Sequence, residues 1–379
     1  MVIRRSWQSR VERHWRRRSI LWLRGVRRVG KTVLTQSIPG VEYFDCELPR
    51  ARRAMEDPEG FLRQFRGRRV VLDEIHRLPN PAELLKIAAD HFPTVRVLAT
   101  GSSTLGASRR FRDTLTGRKT ELWLTPMTEA DLVDFGGRDL RHRLLHGGLP
   151  SFFLSPELPE HDVQEWMDAY WAKDIQELFR LERRSSFQRF VELLMAQSGG
   201  LFEATRFAAP CEVSRTTIAN YLAVLEATSV VLVLRPFSSR RNNEIVAAPK
   251  VYGFDTGFVC AYRGWSSLRS DDLGLLWEHY VLNELTAHLQ TTALRYWRDK
   301  RGHEVDLVWA RPAHAPLAIE CKWSVRSFDP ASLLVFGRGY PNAELLVTSP
   351  DAHPAFTREY DGRRVHFTTL DRLIAKVAG

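Results

Sequence analysis

The chain has 379 residues, a hydrophobic content of 44% and a formal net charge of +10 at pH 7. That length allows two or three domains with separate cores. No apolar run approaches the roughly 20 residues that span a bilayer, so the sequence argues against a membrane-spanning helix. The positive charge favours a polyanionic partner, although arginine greatly outnumbers lysine and composition alone also explains such a charge.

The N-terminal stretch MVIRRSWQSRVERHWRRRS is rich in arginine and lacks the apolar centre of a secretory signal. Its apolar residues Ile3, Trp7, Val11 and Trp15 recur every four positions, which predicts a helix with one apolar face and arginines on the others. Three interpretations fit this pattern: a helix docked on the next domain with a solvated basic face, a contact with nucleic acid, and a helix on a membrane surface.

The stretch LWLRGVRRVGKTVLTQS, residues 21–37, combines the end of an apolar strand, a glycine-containing loop and the start of a helix. The pattern G-x-x-x-x-G-K-[ST] in this context predicts a phosphate-binding loop. Backbone N–H groups of such a loop surround the phosphates, the lysine meets the β and γ oxygens, and the hydroxyl binds Mg²⁺. The predicted ATP-binding residues are Gly25, Arg27, Arg28, Val29, Gly30, Lys31, Thr32 and Val33, with Thr32 also a ligand of Mg²⁺.

The next informative stretch, RRVVLDEIHRLPN, places two carboxylates after a run of apolar residues at 70–72 that is typical of a buried parallel strand. Asp73 is predicted to hold the water shell of the metal, and Glu74 to act as the general base that activates the attacking water. The alternative is that Asp73 and Glu74 only cap the helix that follows Pro79-Asn80-Pro81.

A third apolar stretch, TVRVLATGSS, ends in a polar cluster, and Thr100, Ser102 and Ser103 are equal candidates for a sensor of the γ-phosphate. Arg118 follows, just before another predicted strand. An arginine supplied by a neighbouring subunit can raise the rate of hydrolysis roughly 10³- to 10⁵-fold. Arg118 is the predicted arginine finger, with a plain surface arginine as the alternative.

These motifs carry a family resemblance. The runs GVRRVGKT, VVLDEIHRLP, LATGSS, LTGRKTELWLTPMTEADL and GGLP resemble bacterial and archaeal AAA-type ATPases joined to a C-terminal domain of unknown function. The likeness continues through YWAKDIQELFRLE and VYGFDTGFVCAYRG, so it covers nearly the whole chain. It implies an ATP-hydrolysing α/β core, a winged-helix segment and a C-terminal nuclease-like fold, but no settled biological role.

The middle of the chain, around FEATRFAAPCEVSRTTIANYLAVLEATSVVLVLRPF, predicts a short helix, a turn and a second helix before a β-rich wing. Ser214 is suited to cap the second helix, whose inward face is formed by Ile218, Leu222 and Leu225. Arginine, hydroxyl and amide groups then point outward, as in a helix that enters a DNA groove. The predicted DNA-binding residues are Arg215, Thr216, Asn220, Arg240 and Arg241. The alternative is a winged helix that serves as a lid or packing module.

The C-terminal part carries a second candidate site. Glu278 lies on a predicted helix, Asp306 on the second strand of a hairpin, and Glu320 and Lys322 share one face of a strand because alternate residues face opposite sides. The carboxylates Glu278, Asp306 and Glu320 would bind Mg²⁺, and Lys322 would orient a water for attack on a phosphodiester. This arrangement resembles the PD-(D/E)xK nuclease fold. Two alternatives are a surface ion pair of Glu320 with Lys322, and a nuclease fold that only grips DNA.

The predicted fold class is therefore α/β, in three consecutive domains. Residues 1–135 form a P-loop AAA-type ATPase core with a basic N-terminal helix, 136–250 a helical and winged-helix segment, and 251–379 a restriction-endonuclease-like α/β domain. Four cysteines without C-x-x-C spacing predict free thiols in a reduced cytoplasm. The predicted location is cytoplasmic and nucleoid-associated.

The predicted function is a ring-forming, DNA-stimulated ATPase that translocates on or remodels branched DNA, with ATP and Mg²⁺ as cofactors. Its expected partners are DNA and further copies of the chain, and no membrane. The alternatives are a metal-dependent DNA nuclease gated by ATP, and a protein-remodelling or regulatory ATPase.

Overall fold

The structure is a computed structural model that describes residues 2–101, 113–137, 139–157, 160–176, 183–238 and 248–378. The chain divides into two compact units. Unit 1 comprises Met1–Asp139, Gly148–Arg184 and Ala223–Val230, and unit 2 comprises Leu140–Gly147, Ser185–Leu222 and Val231–Gly379. The three consecutive domains stay a prediction.

The regular elements are numbered in chain order. The helices are α1 (Arg5–Trp15), α2 (Lys31–Gln36), α3 (Pro49–Ala54), α4 (Pro58–Arg63), α5 (Pro81–His91), α6 (Glu129–Asp134), α7 (Leu140–His146), α8 (Pro150–Leu154), α9 (Glu160–Tyr170), α10 (Arg184–Ala196), α11 (Ala204–Ala208), α12 (Arg215–Ala227), α13 (Thr256–Tyr262), α14 (Ser270–Leu289), α15 (Ala331–Gly339) and α16 (Leu370–Ala378). The strands are β1 (Ile20–Arg24), β2 (Val41–Asp45), β3 (Arg69–Asp73), β4 (Arg96–Thr100), β5 (Lys119–Trp123), β6 (Gly200–Leu201), β7 (Val231–Pro236), β8 (Lys250–Gly253), β9 (Arg295–Arg298), β10 (Glu304–Trp309), β11 (Leu317–Cys321), β12 (Glu344–Thr348), β13 (Phe356–Tyr360) and β14 (Arg363–Thr368). Residues Trp171–Ile175 form a π-helix directly after α9.

Unit 1 is built on a parallel sheet whose described strands run in the order β2-β3-β4-β1-β5. The strands predicted near residues 20–23, 70–72 and 96–100, and the strand after Arg118, are confirmed. β1 is apolar and buried over its first four residues, as expected for a parallel strand covered on both faces. Because the strands are parallel, their carboxyl ends open on one edge of the sheet, where ligands of such folds bind.

The N-terminal helix α1 packs on unit 1 by its apolar face. Trp7, Val11 and Trp15 are all buried, and the indole N–H of Trp15 donates to the carbonyl oxygen of Val97 at 3.3 Å. The docked interpretation of this helix is therefore confirmed. With its tryptophans inside the protein, the helix has no apolar face left for a lipid surface.

Arg4, just before α1, is an unusual buried arginine. Its guanidinium donates to the carbonyl oxygens of Val29 at 3.2 Å and Thr125 at 2.9 Å, and it pairs with the carboxylate of Asp131 at 2.5 Å. Asp131 also closes a capping box with Thr128 at the start of α6. The N-terminal segment is thus tied both to the phosphate-loop sequence and to α6.

Unit 2 contains a mixed sheet whose described strands run in the order β13-β14-β12-β11-β10-β9-β7-β8-β6. The predicted hairpin is confirmed as β9 and β10, and β11 pairs with β10 antiparallel and with β12 parallel. The long helix α14 is mostly buried and contributes Trp277 and Tyr280 to the core of this unit. Its position beside β11 brings Glu278 to the sheet.

Gly147, the first residue of the GGLP motif, meets the FDTG stretch in unit 2 at one tight contact. Asp255 caps α13 by accepting the N–H of Gly257 at 2.9 Å. A Cβ placed on Gly147 would lie 1.9 Å from the same carboxylate oxygen, and Gly147 has a positive φ of 82°. Glycine is therefore required there by packing as well as by conformation.

Two predictions from composition can be compared with the structure. All four cysteines are buried and unpaired, which confirms the predicted free thiols. In the described ranges, no helix combines the length and apolar character needed to cross a membrane.

Candidate functional site

The loop between β1 and α2 has the backbone that a phosphate-binding loop needs. Gly30 has a φ of 98°, a left-handed conformation that favours glycine. A Cβ on Gly25 would approach the carbonyl oxygen of Leu124 to 2.4 Å, so a side chain does not fit there. The two glycines fixed by the motif are thus required for separate reasons, one for conformation and one for space.

Lys31 is folded back onto its own loop. Its ammonium group donates to the carbonyl oxygens of Gly25 at 2.9 Å and Val26 at 3.1 Å. Burial lowers the pKa of Lys31 below its ordinary value, and the nearby carboxylates of Glu74 and Asp174 oppose that shift. A phosphate that entered the loop would replace these two carbonyl oxygens as the hydrogen-bond acceptor of the Lys31 ammonium group. Its oxygens carry negative charge and therefore accept a stronger hydrogen bond.

Asp73 ends β3 and is held by two hydroxyl groups. The phenol of Tyr43 donates to its Oδ2 at 2.7 Å, and the hydroxyl of Thr100 donates to its Oδ1. Asp73 and Thr32 line the same cavity, and a carboxylate with a hydroxyl is a donor set that suits Mg²⁺. The residues present therefore fit the implied metal.

Glu74 has a strained backbone, with a φ of 52° in the left-handed region. Its N–H donates to the hydroxyl of Thr100 at 3.1 Å, and its carboxylate lies 3.1 Å from Nδ1 of His76. Burial alone would raise the pKa of Glu74, but the hydrogen bond from His76 and the charge of Lys31 bring it below its ordinary value. Glu74 is therefore ionised at neutral pH, as a general base must be. The alternative that Asp73 and Glu74 cap α5 is wrong, because Asn80 is its N-cap.

These side chains converge on a cavity of about 700 Å³ at the carboxyl edge of the unit 1 sheet. It is lined by the loops after β1, β2, β3 and β4, and by Pro150, Ser151, Lys173 and Asp174. The sequence analysis assigned no chemistry to these four residues. They lie in or just after the motifs GGLP and YWAKDIQELFRLE, which carried the family resemblance, but no local pattern connects them with a phosphate loop.

Helix α9 and the π-helix after it hold the two arginines of the phosphate loop. Arg27 Nε lies 3.2 Å from Oδ2 of Asp174, and Arg28 pairs with Glu165 at 2.6 Å. The indole N–H of Trp166 donates to the carbonyl oxygen of Arg27 at 3.0 Å. The loop is therefore fastened at three points to this one segment, which includes a π-helix, an element frequent at functional sites.

The other residues predicted to sense or stabilise the γ-phosphate lie in different places. Thr100 lies within the site, bonded to Asp73 and Glu74, whereas Ser102 and Ser103 fall outside the described residues. Arg118 precedes β5 and pairs with Asp90 at 2.8 Å. It therefore lies at the amino edge of the sheet, opposite the cavity of its own chain.

The predicted DNA-contacting helix is α12. The Ser214 hydroxyl accepts the N–H of Thr217 at 3.1 Å, which confirms the predicted cap. Arg215, Thr216 and Asn220 are exposed, as predicted from the helical spacing. The other two predicted contacts, Arg240 and Arg241, lie outside the described residues.

Unit 2 brings the predicted acidic residues and lysine together. Lys322 Nζ lies 2.6 Å from Oε2 of Glu320 and 3.6 Å from Oδ2 of Asp306. The Glu320 side chain is only 5% exposed, so this is no surface ion pair. Burial and the charge of Asp306 raise the pKa of Glu320 well above its usual range.

Glu278 joins this cluster through a residue that the sequence analysis missed. Lys250 on β8 donates to Glu278 at 3.0 Å and to Glu304 at 2.7 Å, and Tyr252 donates to the same oxygen of Glu278. Burial, followed by the charge of Asp306, raises the pKa of Glu278.

A metal ion would fit best between Asp306 and Glu320 in this cluster. Oε1 of Glu320 is buried and has no hydrogen-bond partner among the described residues, so one carboxylate oxygen is available to a cation. Glu278 differs, because it would have to release Lys250 before it could act as a third ligand. The residues present therefore fit a metal held by two carboxylates.

Three family models match separate parts of the chain. Residues 17–133 match a model described as an AAA domain. Residues 137–269 and 273–360 match two models described as domains of unknown function, DUF8612 and DUF4143.

Two mycobacterial proteins are similar to this chain. They are the uncharacterized proteins Rv2008c of Mycobacterium tuberculosis and Mb2031c of Mycobacterium bovis. Each is 29% identical over 321 residues, which cover 81% of this chain and 71% of the relative.

Solved structures show weaker likenesses. A signal transduction ATPase with numerous domains and a tetratricopeptide repeat sensor, from Pyrococcus horikoshii, aligns with a TM-score of 0.29 and 10% identity over 74% of this chain and 46% of that one, less than half its length. The Bacillus subtilis DNA clamp loader delta protein gives a TM-score of 0.27 and 11% identity over 58% of this chain and 88% of that one. TM-scores in this range do not establish a shared fold.

The assignment of an AAA domain therefore depends on the residues that match the family model and on the geometry described above. The matched range contains the phosphate loop, the Asp73-Glu74 pair and the parallel sheet on whose carboxyl edge they meet. Together these findings support an AAA-type P-loop ATPase core in residues 17–133, a type of protein that generally binds ATP, usually with Mg²⁺.

Proposed function

We propose that this chain is a ring-forming ATPase, stimulated by DNA, that translocates on or remodels branched DNA such as forks and four-way junctions. The observation that carries the proposal is the convergence of Lys31, Asp73 and Glu74 on one cavity at the carboxyl edge of the sheet. ATP would bind on the loop after β1, and Thr32 with Asp73 would hold Mg²⁺, whose role is to neutralise charge on the phosphates.

Each residue of the site has a distinct task in this proposal. Lys31 exchanges its two carbonyl partners for phosphate oxygens. Glu74 accepts the proton of the attacking water, and its lowered pKa keeps it ionised for that step. Thr100 holds Asp73 and Glu74 in a fixed relation because its hydroxyl donates to one and accepts from the other.

The position of Arg118 supports the ring. β5 has five residues, and a strand of that length spans about 16 Å. Arg118 at its amino end is therefore too distant to serve the cavity of its own chain. An arginine there would act on a nucleotide bound by a neighbouring copy, and its partner Asp90 would hold it in place until that neighbour docks.

The exposed face of α12 supports DNA as the partner. Arg215 and Thr216 lie in its first turn and Asn220 one turn further on, so all three can meet a groove from the helix start. Arginine suits phosphate or guanine, and an amide suits adenine. The net charge of +10 favours the same partner.

The test is steady-state ATP hydrolysis without DNA and with duplex, single-stranded and four-way-junction DNA. We expect the junction to raise the rate most, Lys31→Ala to abolish hydrolysis, and Asn220→Ala to retain the basal rate while losing stimulation. A rate that no form of DNA changes would contradict the proposal and would favour a protein substrate instead.

A second candidate function is a metal-dependent DNA nuclease gated by ATP. The cluster of Asp306, Glu320 and Lys322 in unit 2 favours it, with Glu278 adjoining. Asp306→Asn and Lys322→Met should then abolish Mg²⁺-dependent cleavage while ATP hydrolysis continues. Cleavage that persists in both variants would come from a contaminant, and intact DNA with the wild type would leave the cluster as a grip.

A further inference from the structure

The amino edge of the unit 1 sheet, opposite the nucleotide cavity, collects arginines from three separate chain segments. Arg16, Arg17 and Arg18 lie between α1 and β1, Arg66 lies shortly before β3, and Arg96 is the first residue of β4. Four of them are exposed and Arg96 is half-buried. These five residues are called the basic rim.

The three segments are neighbours in space. Val97 donates its N–H to the carbonyl oxygen of Ser19 at 2.8 Å, and Arg96 donates its N–H to the carbonyl oxygen of Arg68 at 3.0 Å. β3, β4 and β1 are adjacent in the sheet, and two strand spacings are about 10 Å. The segments that carry the basic rim therefore meet at one edge of the sheet, although they are far apart along the chain.

The charge of the basic rim is not cancelled by its surroundings. The nearby carboxylates of Glu12 and Glu42 already pair with Arg69 and Arg68. None of the five rim arginines has a carboxylate partner within the described part of the chain.

The titration of His14, on α1 beside the basic rim, agrees with this surplus of positive charge. Burial lowers its pKa below the ordinary value, and the charges of Arg10, Arg17 and Arg13 lower it further. The local potential at the end of α1 is therefore positive.

We propose that the basic rim binds the phosphates of double-stranded DNA. This inference rests on the proposed function and adds a second DNA surface, on the ATPase unit itself, to the one predicted on α12. Guanidinium groups match phosphate oxygens with two parallel hydrogen bonds, and duplex DNA carries one charge per roughly 1.7 Å of axis, so a surface about 10 Å wide meets several phosphates.

An anionic lipid surface fits the same charges less well. Binding of a helix to a bilayer requires apolar side chains that enter the headgroup region. On α1 those residues are Trp7, Val11 and Trp15, and all three are buried inside unit 1. The basic rim therefore presents charged groups, while the apolar side chains of α1 cannot enter a bilayer. This combination suits the phosphates of a duplex.

The experiment measures binding of a fluorescent duplex by anisotropy over a series of KCl concentrations. The test variant is Arg17→Gln/Arg18→Gln. The matched control is Arg50→Gln/Arg53→Gln, which removes the same charge from two exposed arginines of α3, the helix after the carboxyl end of β2. Basal ATP hydrolysis without DNA and the thermal midpoint should equal those of the wild type in both.

Each phosphate contact contributes about 0.9 to the slope of log K against log salt, which is roughly a fivefold change in affinity at 0.15 M salt relative to 1 M. The rim variant should therefore bind about 30-fold more weakly and lose about 1.8 from the slope, while the control stays within about twofold of the wild type. A wild type that binds no DNA would overturn the proposed function itself.

Two results would overturn the basic rim alone. One is a rim variant with wild-type affinity and slope while DNA still binds and stimulates hydrolysis. The other is wild-type binding to phosphatidylglycerol vesicles that depends on Arg17 and Arg18 while duplex binding does not, which would assign the surface to lipid.

Discussion

The buried ion pair of Arg4 and Asp131 gives a sharp test of how the N-terminal segment stabilises unit 1. Arg4→Met keeps much of the apolar stem but leaves the Asp131 carboxylate buried without its cation. It also removes the donor from the carbonyl oxygens of Val29 and Thr125. Breaking a buried pair on one side costs about 3–5 kcal/mol, so we expect the free energy of unfolding of unit 1 to fall by about 4 kcal/mol.

The assay is urea unfolding followed by tryptophan fluorescence, because the ring of Trp7 lies 5.4 Å from the guanidinium carbon of Arg4. The control is Arg5→Met, because Arg5 pairs with Asp134 at 3.3 Å but its side chain is 80% exposed. Such an exposed pair contributes about 0–1 kcal/mol. The double variant Arg4→Met/Asp131→Asn removes the unpaired charge and should recover part of the loss.

The pH dependence of this pair has a definite sign. Burial alone would raise the pKa of Asp131, but the charge and hydrogen bond of Arg4 and the bonds from Thr128 bring it below the ordinary value. A lowered pKa means that the stability is present above the unfolded value of about 3.9 and is lost as the pH falls through the folded pKa. The difference in the free energy of unfolding between the wild type and Arg4→Met should therefore be constant near neutral pH. A loss below about 1 kcal/mol, or additive losses in the double variant, would refute the reasoning.

Three further predictions concern both units. Arg118→Ala should lower ATP hydrolysis about 10³-fold or more. Mixing this variant with Glu74→Gln should restore activity, because one chain then supplies the base and the other supplies the arginine. No recovery would contradict a role of Arg118 between subunits. Because the pKa of Glu74 is lowered, its titration should add no acidic limb to kcat between about pH 6 and pH 8, and a limb that moves in Glu74→Asp would contradict this. Lys250→Met removes the cation between Glu278 and Glu304. It should lower the free energy of unfolding of unit 2, measured in urea, by about 3 kcal/mol or more, and adding Glu278→Gln should recover part of that loss. Equal stability of Lys250→Met and the wild type would show that these ion pairs do not stabilise unit 2.

The parts of the site that could be predicted are those encoded within one short segment. Residues 25–33 form one loop and the first turn of α2, so their spacing alone places Lys31 and Thr32 at the helix start. Asp73 and Glu74 follow a run of buried apolar residues, so the end of a strand could be recognised from the hydrophobic pattern. In both cases the chemistry and the structural signal lie in the same few residues.

The parts that could not be predicted depend on packing between distant segments. Tyr43 lies on β2 and reaches Asp73 only because β2 and β3 are neighbours in the sheet. Asp174 reaches the phosphate loop from a π-helix, which has no periodic signature in the sequence. Lys250 is outside the D…ExK pattern and joins the cluster because the sheet places β8 near α14. These three contacts depend on how distant segments pack together, and a single sequence does not reveal that packing.

The three-point attachment of the phosphate loop makes its geometry depend on a distant part of the chain. Arg27 meets Asp174 through its Nε at 3.2 Å, and a guanidinium carries further N–H groups that could donate to a phosphate in the loop while this contact is kept. Asp174 lies in the π-helix, so the side chain that fixes Arg27 comes from an irregular turn of this segment. The two arginines of the loop are thus positioned by carboxylates 147 and 137 residues further along the chain, so the shape of the phosphate loop depends on a segment far from it in sequence.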